Sequence, residues 1–468
     1  MQIKITFLGA TKNVTGSRFL VQANDIRFLI DCGLYQEREL KERDWGVFPV
    51  SPRSIDAVIL THAHLDHCGY LPKLVRDGYC HSIYCTDATA DITRIMLMDA
   101  AHVQQQDAEN KKMRHEREGR KGAYPEVPLY TIDDVEECLP YLLPVPYKNT
   151  VRLAEGISFT FYDAGHVLGA SMIEMKIKKN GEERILIFSG DIGRQHRPIL
   201  NDPTIFNEAD YVLTESTYGD RLLEPPDNMY QELVDIVNST VNAGGNIIIP
   251  SFALERAQHL LYYLHKALED NKIKPIKIFL DSPMAVDITT VFRNHINLFD
   301  DDAKELFRNG NSPFEFPGLT FTSSVEQSKE INRSKEPAII IAGSGMCTGG
   351  RIKYHLISDI GRPESTILFV GYQAIGTLGR QIIDGATEVR ILGKNYPVKA
   401  KIMKLNGFSS HADKDELLAW ISALKRPPRE VFVVHGEEEA ANHYAKNIQE
   451  TKGWNVTVPN YLDEFTLD

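Results

Sequence analysis

The sequence has few cysteines, no long apolar run and no excess of positive charge. Six cysteines in 468 residues are too few for the disulfide framework of a small secreted protein, so reduced thiols are expected. No apolar run approaches the roughly 18 to 20 residues that a membrane-spanning helix needs. The first residues, MQIKITFLGATKNVTG, lack the charged and then apolar pattern of a secretory signal. We therefore expect a cytoplasmic protein with no membrane partner.

The acidic balance excludes one common way of binding nucleic acid. A formal net charge of −12 argues against attraction of nucleic acid by the molecule as a whole, although it leaves room for a locally positive groove. The glycine-rich stretch GSGMCTGGR, residues 343–351, also lacks two nucleotide-binding patterns. Thr348 stands where the dinucleotide fingerprint needs its third glycine, and the Gly-Lys-Ser/Thr of a P-loop is missing. A nucleotide cofactor is therefore not expected.

The order of predicted strands and helices indicates one domain interrupted by another. Short strands open the chain, and a polar, helical stretch follows over residues 87–121. From about residue 220, apolar strands alternate with loops and helices, as in AIIIAGSGMCTGGRIKYHL, and this alternation predicts a parallel sheet. The last part returns to the pattern of the first. We predict a first domain in two pieces, 1–219 and 406–468, with an inserted domain at 220–405.

Three histidines and an aspartate crowd together in THAHLDH, directly after the apolar run AVIL. Imidazole is the commonest metal ligand, and such groups rarely gather to fill a core. His62 and His64, two positions apart, can converge on one ion from an extended turn. Asp66 and His67 lie one step further along, where they suit a second ion nearby. The cluster therefore predicts a metal site on the loop that leaves a buried strand.

Three further strand ends carry single candidates for the same site. These are Asp31 in LIDCG, His166 in DAGHVLGA and Asp191 in FSGDIG. Each alone is weak, because an aspartate before a glycine is often only a turn former. Together they suggest an assembled site, because binding groups gather on the loops at strand ends.

The order of these motifs resembles the metallo-β-lactamase superfamily. The segments ESTYG at Glu215, FSSHAD at His411 and VVHGE at His435 resemble the three additional motifs of the β-CASP family of nucleases within it. The stretches PSFALERAQ, LDSPMA, GSGMCTGGR and GYQAIGTLGR resemble parts of the domain that this family inserts. The resemblance implies an α/β fold: a metallo-β-lactamase αββα sandwich with an inserted β-CASP domain built on a mainly parallel sheet flanked by helices.

The resemblance also implies two metal ions, usually zinc, with a role for each candidate. One ion would be held by His62, His64 and His166, and the other by Asp66, His67 and His435. Asp191 would bridge the two ions, and Asp31 would orient a ligand histidine through its other ring nitrogen. Nitrogen and oxygen ligands without cysteine fit Zn²⁺, and the ligand types also admit Mn²⁺.

Hydrolysis of phosphodiester bonds is the implied reaction, by a hydroxide held between two metals, leaving a 5′-phosphate and a 3′-hydroxyl. Asp66, His411 and Glu215 are the predicted catalytic residues. His411 matches a family residue that contacts the scissile phosphate and can act as general acid, with Glu215 as its orienting partner. The alternative for His411 is a surface or capping histidine ahead of the next helix.

His435 bears on the choice of substrate. RNA-cleaving members of the family usually have histidine at this motif, whereas the DNA-repair branch usually has valine. The resemblance therefore favours single-stranded RNA, cut internally, with cleavage from the 5′ end as an open second mode. Ser344, Gly345 and Met346 resemble part of a pocket for a substrate phosphate or terminal nucleotide. Arg351 and Arg380 are candidate phosphate contacts, with ion pairs between the domains as the alternative.

Other functions stay open at this point. They are a DNA-directed β-CASP nuclease, a scaffold that binds RNA without cutting it, and a small-molecule hydrolase of the same superfamily. The histidine cluster alone does not separate the last of these from a nuclease, but the inserted domain and the three additional motifs do. A homodimer and partners in an RNA-processing complex are further expectations by analogy.

Overall fold

A computed structural model describes residues 2–37, 39–119, 126–224, 226–334, 336–374 and 376–468. The chain forms two compact units. The first comprises Met1–Gln195, Asp202–Leu222 and His411–Asp468, and the second comprises His196–Asn201 and Leu223–Ser410. The sequence pattern placed the inserted domain at 220–405 and did not indicate that residues 196–201 lie with it.

The first unit opens with strands that form most of one sheet. Its strands are β1 (Ile3–Phe7), β2 (Phe19–Ala23), β3 (Ile26–Ile30), β4 (Ala57–Ile59), β5 (Ile83–Cys85) and β6 (Leu142–Pro144). The pairs β1–β2 and β2–β3 are antiparallel, and the pairs from β3 to β6 are parallel. The accompanying helices are α1 (Glu42–Trp45), α2 (Leu65–Cys68), α3 (Leu71–Arg76), α4 (Asp87–Glu118) and α5 (Ile132–Cys138).

Helix α4 is the long helix predicted for residues 87–121. The Thr86 side chain caps its first turn by accepting from the Thr89 N–H, and Gly119 ends it in the left-handed conformation, at φ 62°. Residues 120 and 121 of that prediction lie outside the described residues. Among the described residues, no helix is long and apolar enough to cross a membrane.

A second sheet follows in the first unit. Its strands in this part of the chain are β7 (Thr150–Ala154), β8 (Ile157–Asp163), β9 (Ser171–Lys179), β10 (Glu182–Phe188) and β11 (Tyr211–Thr214). The sheet is antiparallel from β7 to β10, and β11 is parallel to β10.

The second unit is built on a parallel sheet flanked by helices. Its strands are β12 (Ile247–Pro250), β13 (Lys277–Asp281), β14 (Leu319–Phe321), β15 (Ala338–Ala342), β16 (Thr366–Phe369), β17 (Glu388–Ile391), β18 (Lys394–Pro397) and β19 (Lys401–Lys404). Its helices are α6 (Pro226–Asn242), α7 (Arg256–Glu269), α8 (Pro283–Asn294), α9 (Asp301–Arg308), α10 (Val325–Ile331), α11 (Ile352–Asp359) and α12 (Leu378–Ile383). The sheet order is β14-β13-β15-β12-β16-β19, with β17 and β18 as a separate hairpin.

The last part of the chain completes both sheets of the first unit. It contributes β20 (Glu430–Val433), β21 (Val456–Thr457), β22 (Glu464–Leu467), α13 (Lys414–Ser422) and α14 (Glu438–Lys452). The completed orders are β22-β1-β2-β3-β4-β5-β6 and β21-β20-β11-β10-β9-β8-β7.

The two sheets of the first unit share one apolar core, in which Phe7 of β1 meets Phe432 of β20, with ring centroids 5.3 Å apart. On the outer side of the first sheet, Leu29 and Val58 join a second core with residues of α3, α4 and α5. On the outer side of the second sheet, α14 contacts β20 and β21. Helices therefore cover both sheets, which confirms the predicted αββα sandwich and the inserted α/β domain.

Candidate metal centre and active site

The candidate residues lie just beyond the carboxyl ends of neighbouring strands in the first unit. Asp31 follows β3 and His62 follows β4 in the first sheet. Asp191, Glu215 and His435 follow β10, β11 and β20, which are parallel neighbours in the second sheet. Because parallel strands end at the same edge, residues far apart in the chain are brought together there.

One group of donor atoms consists of His62, His64, His166 and Asp191. His64 Nδ1 lies 3.0 Å from His62 Nε2 and 3.3 Å from His166 Nε2. Asp191 Oδ2 lies 3.4 Å from both His62 Nε2 and His166 Nε2. Burial, with neighbouring histidines, holds the pKa of His62 and of His166 well below the usual value. A lowered pKa favours the neutral form of an imidazole, which is the form that binds metal.

A second group consists of Asp66, His67 and His435. His67 Nε2 lies 3.1 Å from His435 Nε2, and His435 Nε2 lies 3.4 Å from Asp66 Oδ2. Asp191 Oδ1 reaches this group too, at 3.3 Å from His67 Nε2 and 3.4 Å from His435 Nδ1. The two oxygens of Asp191 thus face the two groups separately.

These separations fit a metal better than a set of hydrogen bonds. Tetrahedral coordination with metal–nitrogen bonds of about 2.0 to 2.1 Å places neighbouring ligand atoms about 3.3 Å apart. Asp191 is 2% exposed, yet its Oδ1 has no hydrogen-bond partner among the described residues. A buried carboxylate oxygen that faces two imidazole nitrogens without a hydrogen bond is the donor that a cation would satisfy.

Asp31 is a hydrogen-bond partner of His67 in the second group. Its Oδ2 accepts from His67 Nδ1 at 2.8 Å, so His67 is oriented with Nε2 toward Asp66 and His435. Both carboxylate oxygens of Asp31 also accept from Thr61, Oδ1 from the backbone N–H at 2.7 Å and Oδ2 from the hydroxyl at 2.8 Å. This arrangement fixes the ring of a metal-ligating histidine.

Sequence reasoning missed two residues, Thr61 and Thr217, whose hydroxyls contact candidate metal-ligand histidines. The Thr61 hydroxyl lies 3.1 Å from His62 Nδ1, and the Thr217 hydroxyl lies 3.2 Å from His435 Nδ1. Only their positions in the sequence could have indicated them. Thr61 is the first residue of THAHLDH, and Thr217 lies within ESTYG.

His411 lies beside the first group, with Glu215 as its partner. His411 Nδ1 donates to Glu215 Oε1 at 3.2 Å, and the rings of His411 and His166 have centroids 4.5 Å apart. Glu215 is fully buried and also accepts from the backbone N–H groups of Ile192 (2.6 Å) and Thr217 (3.2 Å). Burial lowers the pKa of His411, but Glu215 and Asp191 raise it more strongly, to about 9.

The loop that carries Asp191 is paired with the loop that carries His411. Gly193 and His411 form an antiparallel bridge, and the Ala412 N–H donates to the Ile192 carbonyl at 2.8 Å. A side chain at Gly193 would collide with the backbone, because its Cβ would lie 1.9 Å from the Gly165 carbonyl oxygen, next to His166. Glycine at this position therefore lets three site loops approach one another.

The predicted phosphate-binding residues lie in the second unit. Ser344, Gly345 and Met346 occupy the loop between β15 and α11. Arg351 donates to Asp281 Oδ1 at 2.7 Å and to the carbonyls of Thr322 and Ser323. Arg380 pairs with Asp384 at 2.9 Å. Both arginines thus form ion pairs inside the second unit rather than between domains, and their contact with phosphate stays a prediction.

Known families match most of the chain. A metallo-beta-lactamase superfamily domain matches residues 20–219, a Beta-Casp domain matches residues 257–382, and a Zn-dependent metallo-hydrolase RNA specificity domain matches residues 395–459.

Individual relatives match over nearly the whole chain. A ribonuclease of Thermus thermophilus is 39% identical over 93% of this chain and 94% of its own length. A transcription termination factor, FttA, of Methanocaldococcus jannaschii is 32% identical over 98% of this chain and 71% of its own length. An RNase J-like protein of the same organism is 30% identical over 98% of both chains. A crystal structure of an Enterococcus faecalis protein of unknown function covers 100% of both chains with a TM-score of 0.57 at 13% identity, a likeness of fold alone.

Proposed function

Since the chain belongs to the β-CASP family of the metallo-β-lactamase superfamily and is an RNA-acting, metal-dependent hydrolase, we propose that it is a zinc-dependent ribonuclease. Its substrate would be single-stranded RNA, cut at internal phosphodiester bonds to leave a 5′-phosphate and a 3′-hydroxyl. The alternatives are a DNA-directed nuclease and a scaffold that binds RNA without cutting it.

One observation carries the proposal. Asp191 is shared by two donor groups, through Oδ2 at 3.4 Å from His62 and His166 and through Oδ1 at 3.3 to 3.4 Å from His67 and His435. A carboxylate placed in this way suits a bridge between two cations. Zinc would be held by His62, His64 and His166 on one side and by Asp66, His67 and His435 on the other, and Mn²⁺ is the second candidate.

Two such ions would supply a water of lowered pKa and would offset the charge that develops on the phosphoryl oxygens. The chain's own residues supply the remaining chemistry. Asp66 and Asp191 place negative charge around the cations, and Asp31 keeps His67 in the orientation that binds. His411, held through Nδ1 by Glu215, would deliver a proton from Nε2 to the 3′ leaving oxygen.

RNA is favoured over DNA by the relatives that bear the names ribonuclease and RNase J-like protein, and by the match to an RNA specificity domain. His435 agrees with this choice, because it stands where RNA-cleaving members of the family usually have histidine. Cleavage from the 5′ end is a second mode that would use Ser344, Gly345 and Met346 as a seat for a terminal phosphate.

The test uses zinc-loaded protein and labelled single-stranded RNA with a 5′-monophosphate or a 5′-triphosphate, beside the matching DNA. Internal fragments from both RNAs and not from DNA are expected. Release of mononucleotides only from the monophosphorylated RNA would assign the 5′ exonucleolytic mode. The Asp66→Ala/His67→Ala double variant, purified identically, controls for contaminating nuclease. Equal cleavage by the wild type and this variant, with zinc and with manganese, would refute the proposal.

A further inference from the structure

A group of exposed cations in the second unit is used by none of the roles above. It consists of Arg390, Lys394, Lys399, Lys401 and Lys404, here named the basic strip. The chain has 64 acidic against 52 basic residues, yet residues 389–412 contain no aspartate or glutamate. The local charge is therefore opposite to that of the molecule.

The fold places these residues on consecutive elements of the chain. Arg390 lies on β17 and Lys394 on β18, the two strands of the hairpin, where Arg390 pairs with Asn395 in the register. Lys401 and Lys404 lie on β19, the last strand of the parallel sheet, which is paired to β16. Lys399 lies in the connection between hairpin and sheet, and its N–H donates to the Ile360 carbonyl at 2.8 Å. All five cations are exposed.

The charges of the basic strip are not neutralised within the described part of the protein. None of its five residues forms an ion pair there, whereas the exposed Lys178 and Lys277 pair with Glu183 and Glu336, each at 2.6 Å. The carboxylates next to the strip have other partners. Asp384 pairs with Arg380 at 2.9 Å, and Glu388 accepts from Asn395 at 2.8 Å. Glu388 keeps its negative charge near Arg390, whereas the four lysines of the strip have no carboxylate partner among the described residues and present their charges to an anionic ligand.

Protection of a sheet edge is the simpler explanation for part of the strip. Lysines on an edge strand discourage pairing with another chain, and this would account for Lys401 and Lys404 on β19. It extends to Arg390 and Lys394, because both strands of a separate two-stranded hairpin are edges, but it does not account for the missing carboxylates. Two exposed apolar side chains, Leu392 (54% exposed) and Met403 (41%), lie among the cations. Exposed cations with apolar side chains between them suit a ligand that has a charged backbone and bases with flat, weakly hydrated faces.

We propose that the basic strip binds the phosphate backbone of single-stranded RNA, as a contact separate from the metal-ligating residues. The proposal rests on the proposed function, because it takes RNA as the substrate. Each phosphate that the strip binds releases counterions, and this release favours binding. A local group of cations can therefore attract RNA although the molecule as a whole has a net charge of −12. The strip would hold the chain of the substrate and would take no part in breaking the bond.

The test compares two triple variants with the same change in charge. Lys399→Gln/Lys401→Gln/Lys404→Gln removes cations of the strip, and Lys272→Gln/Lys274→Gln/Lys329→Gln removes three exposed lysines elsewhere in the second unit. Both are made in the Asp66→Ala/His67→Ala background, and the Kd for a fluorescent single-stranded RNA of about 16 nucleotides is measured against salt. The strip variant should bind about tenfold or more weakly at 0.1 M salt, with a salt slope smaller by about 2, since each phosphate contact contributes about 0.7. The control variant should show neither change.

Cleavage assays separate failure of this proposal from failure of the proposed function. In the otherwise wild-type protein, the strip substitutions should raise KM for RNA and leave kcat for the small phosphodiester bis(p-nitrophenyl) phosphate unchanged. If the wild type cleaves neither substrate, the proposed function is wrong. If it cleaves both and the two triple variants have the same Kd and salt slope, the basic strip is not an RNA contact. Loss of binding to phosphatidylglycerol vesicles with RNA affinity intact would assign the strip to an anionic surface other than RNA and would also overturn the proposal.

Discussion

At the scale of residues, substitution of His411 tests proton transfer independently of metal binding. Among the described residues, His411 lies in none of the groups of metal-donor atoms, and its Nδ1 is held by Glu215 at 3.2 Å. We expect His411→Ala to lower kcat for RNA by about 10² to 10⁴-fold, the usual worth of a general acid, with zinc per chain unchanged. Single-turnover cleavage and elemental analysis of the same preparation measure the two quantities.

A matched control is His102→Ala, which removes an exposed histidine of α4 and should change neither quantity. Loss of zinc together with activity in His411→Ala would identify His411 as a metal ligand and would contradict its assignment as the acid.

At the scale of elements, a buried carboxylate joins strands and helices of the second unit. Asp281, at the end of β13, is fully buried and accepts from Arg351 and Thr322 through Oδ1 (both 2.7 Å) and from Ser328 (2.5 Å) and His355 (2.7 Å) through Oδ2. Burial raises the pKa of Asp281, but these hydrogen bonds lower it by more than burial raises it. The pKa of Asp281 therefore lies below its usual range. Asp281→Asn leaves the Arg351 guanidinium without its charged partner, so the free energy of unfolding should fall by about 3 to 5 kcal/mol.

The pH dependence of this loss follows from the direction of the shift. A carboxylate whose pKa is lower in the folded state stabilises the protein above its unfolded pKa of about 3.9, and that stabilisation is lost as the pH falls through the folded pKa. Urea unfolding should therefore show a constant difference between wild type and Asp281→Asn from about pH 5 to 8, narrowing below about pH 4. Asp384→Asn, in the exposed pair with Arg380, should lower the free energy of unfolding much less than Asp281→Asn does, because solvent screens an exposed pair. Equal losses for the two variants would show that burial does not govern the Asp281 contribution.

At the scale of the whole molecule, metal binding should stabilise one unit selectively. The donor residues of both groups belong to the first unit, on segments that also carry its core strands. A ligand that binds only the folded state adds about 4 kcal/mol at 1,000 times its Kd. Zinc should therefore raise the Tm of the first unit by several degrees relative to protein treated with a chelator, and leave that of the second unit unchanged. Differential scanning calorimetry with and without zinc measures both transitions.

The Asp66→Ala/His67→Ala variant is the control for this experiment, because it lacks two of the donors. An equal shift of Tm in the variant and the wild type would mean that zinc acts at another site.

The sequence by itself determined the features that depend on neighbouring positions. His62, His64, Asp66 and His67 lie within six residues, so their convergence needs only a turn at the end of β4. The strand and helix alternation after residue 220 likewise predicted a parallel sheet, because the hydrophobic period and the short connections are local properties. The resemblance of separate motifs, rather than any spacing between them, indicated that Glu215, His411 and His435 belong with that cluster.

Only the tertiary structure decided the contacts between distant segments. His67 and His435 are 368 positions apart, and they meet at 3.1 Å because β4 and β20 end at the same edge of the sandwich. No local pattern shows that Arg351 is held by Asp281, or that Arg197 lies with the second unit while Asp191 lies with the first. Such contacts depend on how strands are ordered and helices packed, and many orders are compatible with the same run of apolar residues. The arrangement of each unit is therefore a property of its packed core, and the metal-ligand chemistry is carried by the motifs that the core brings together.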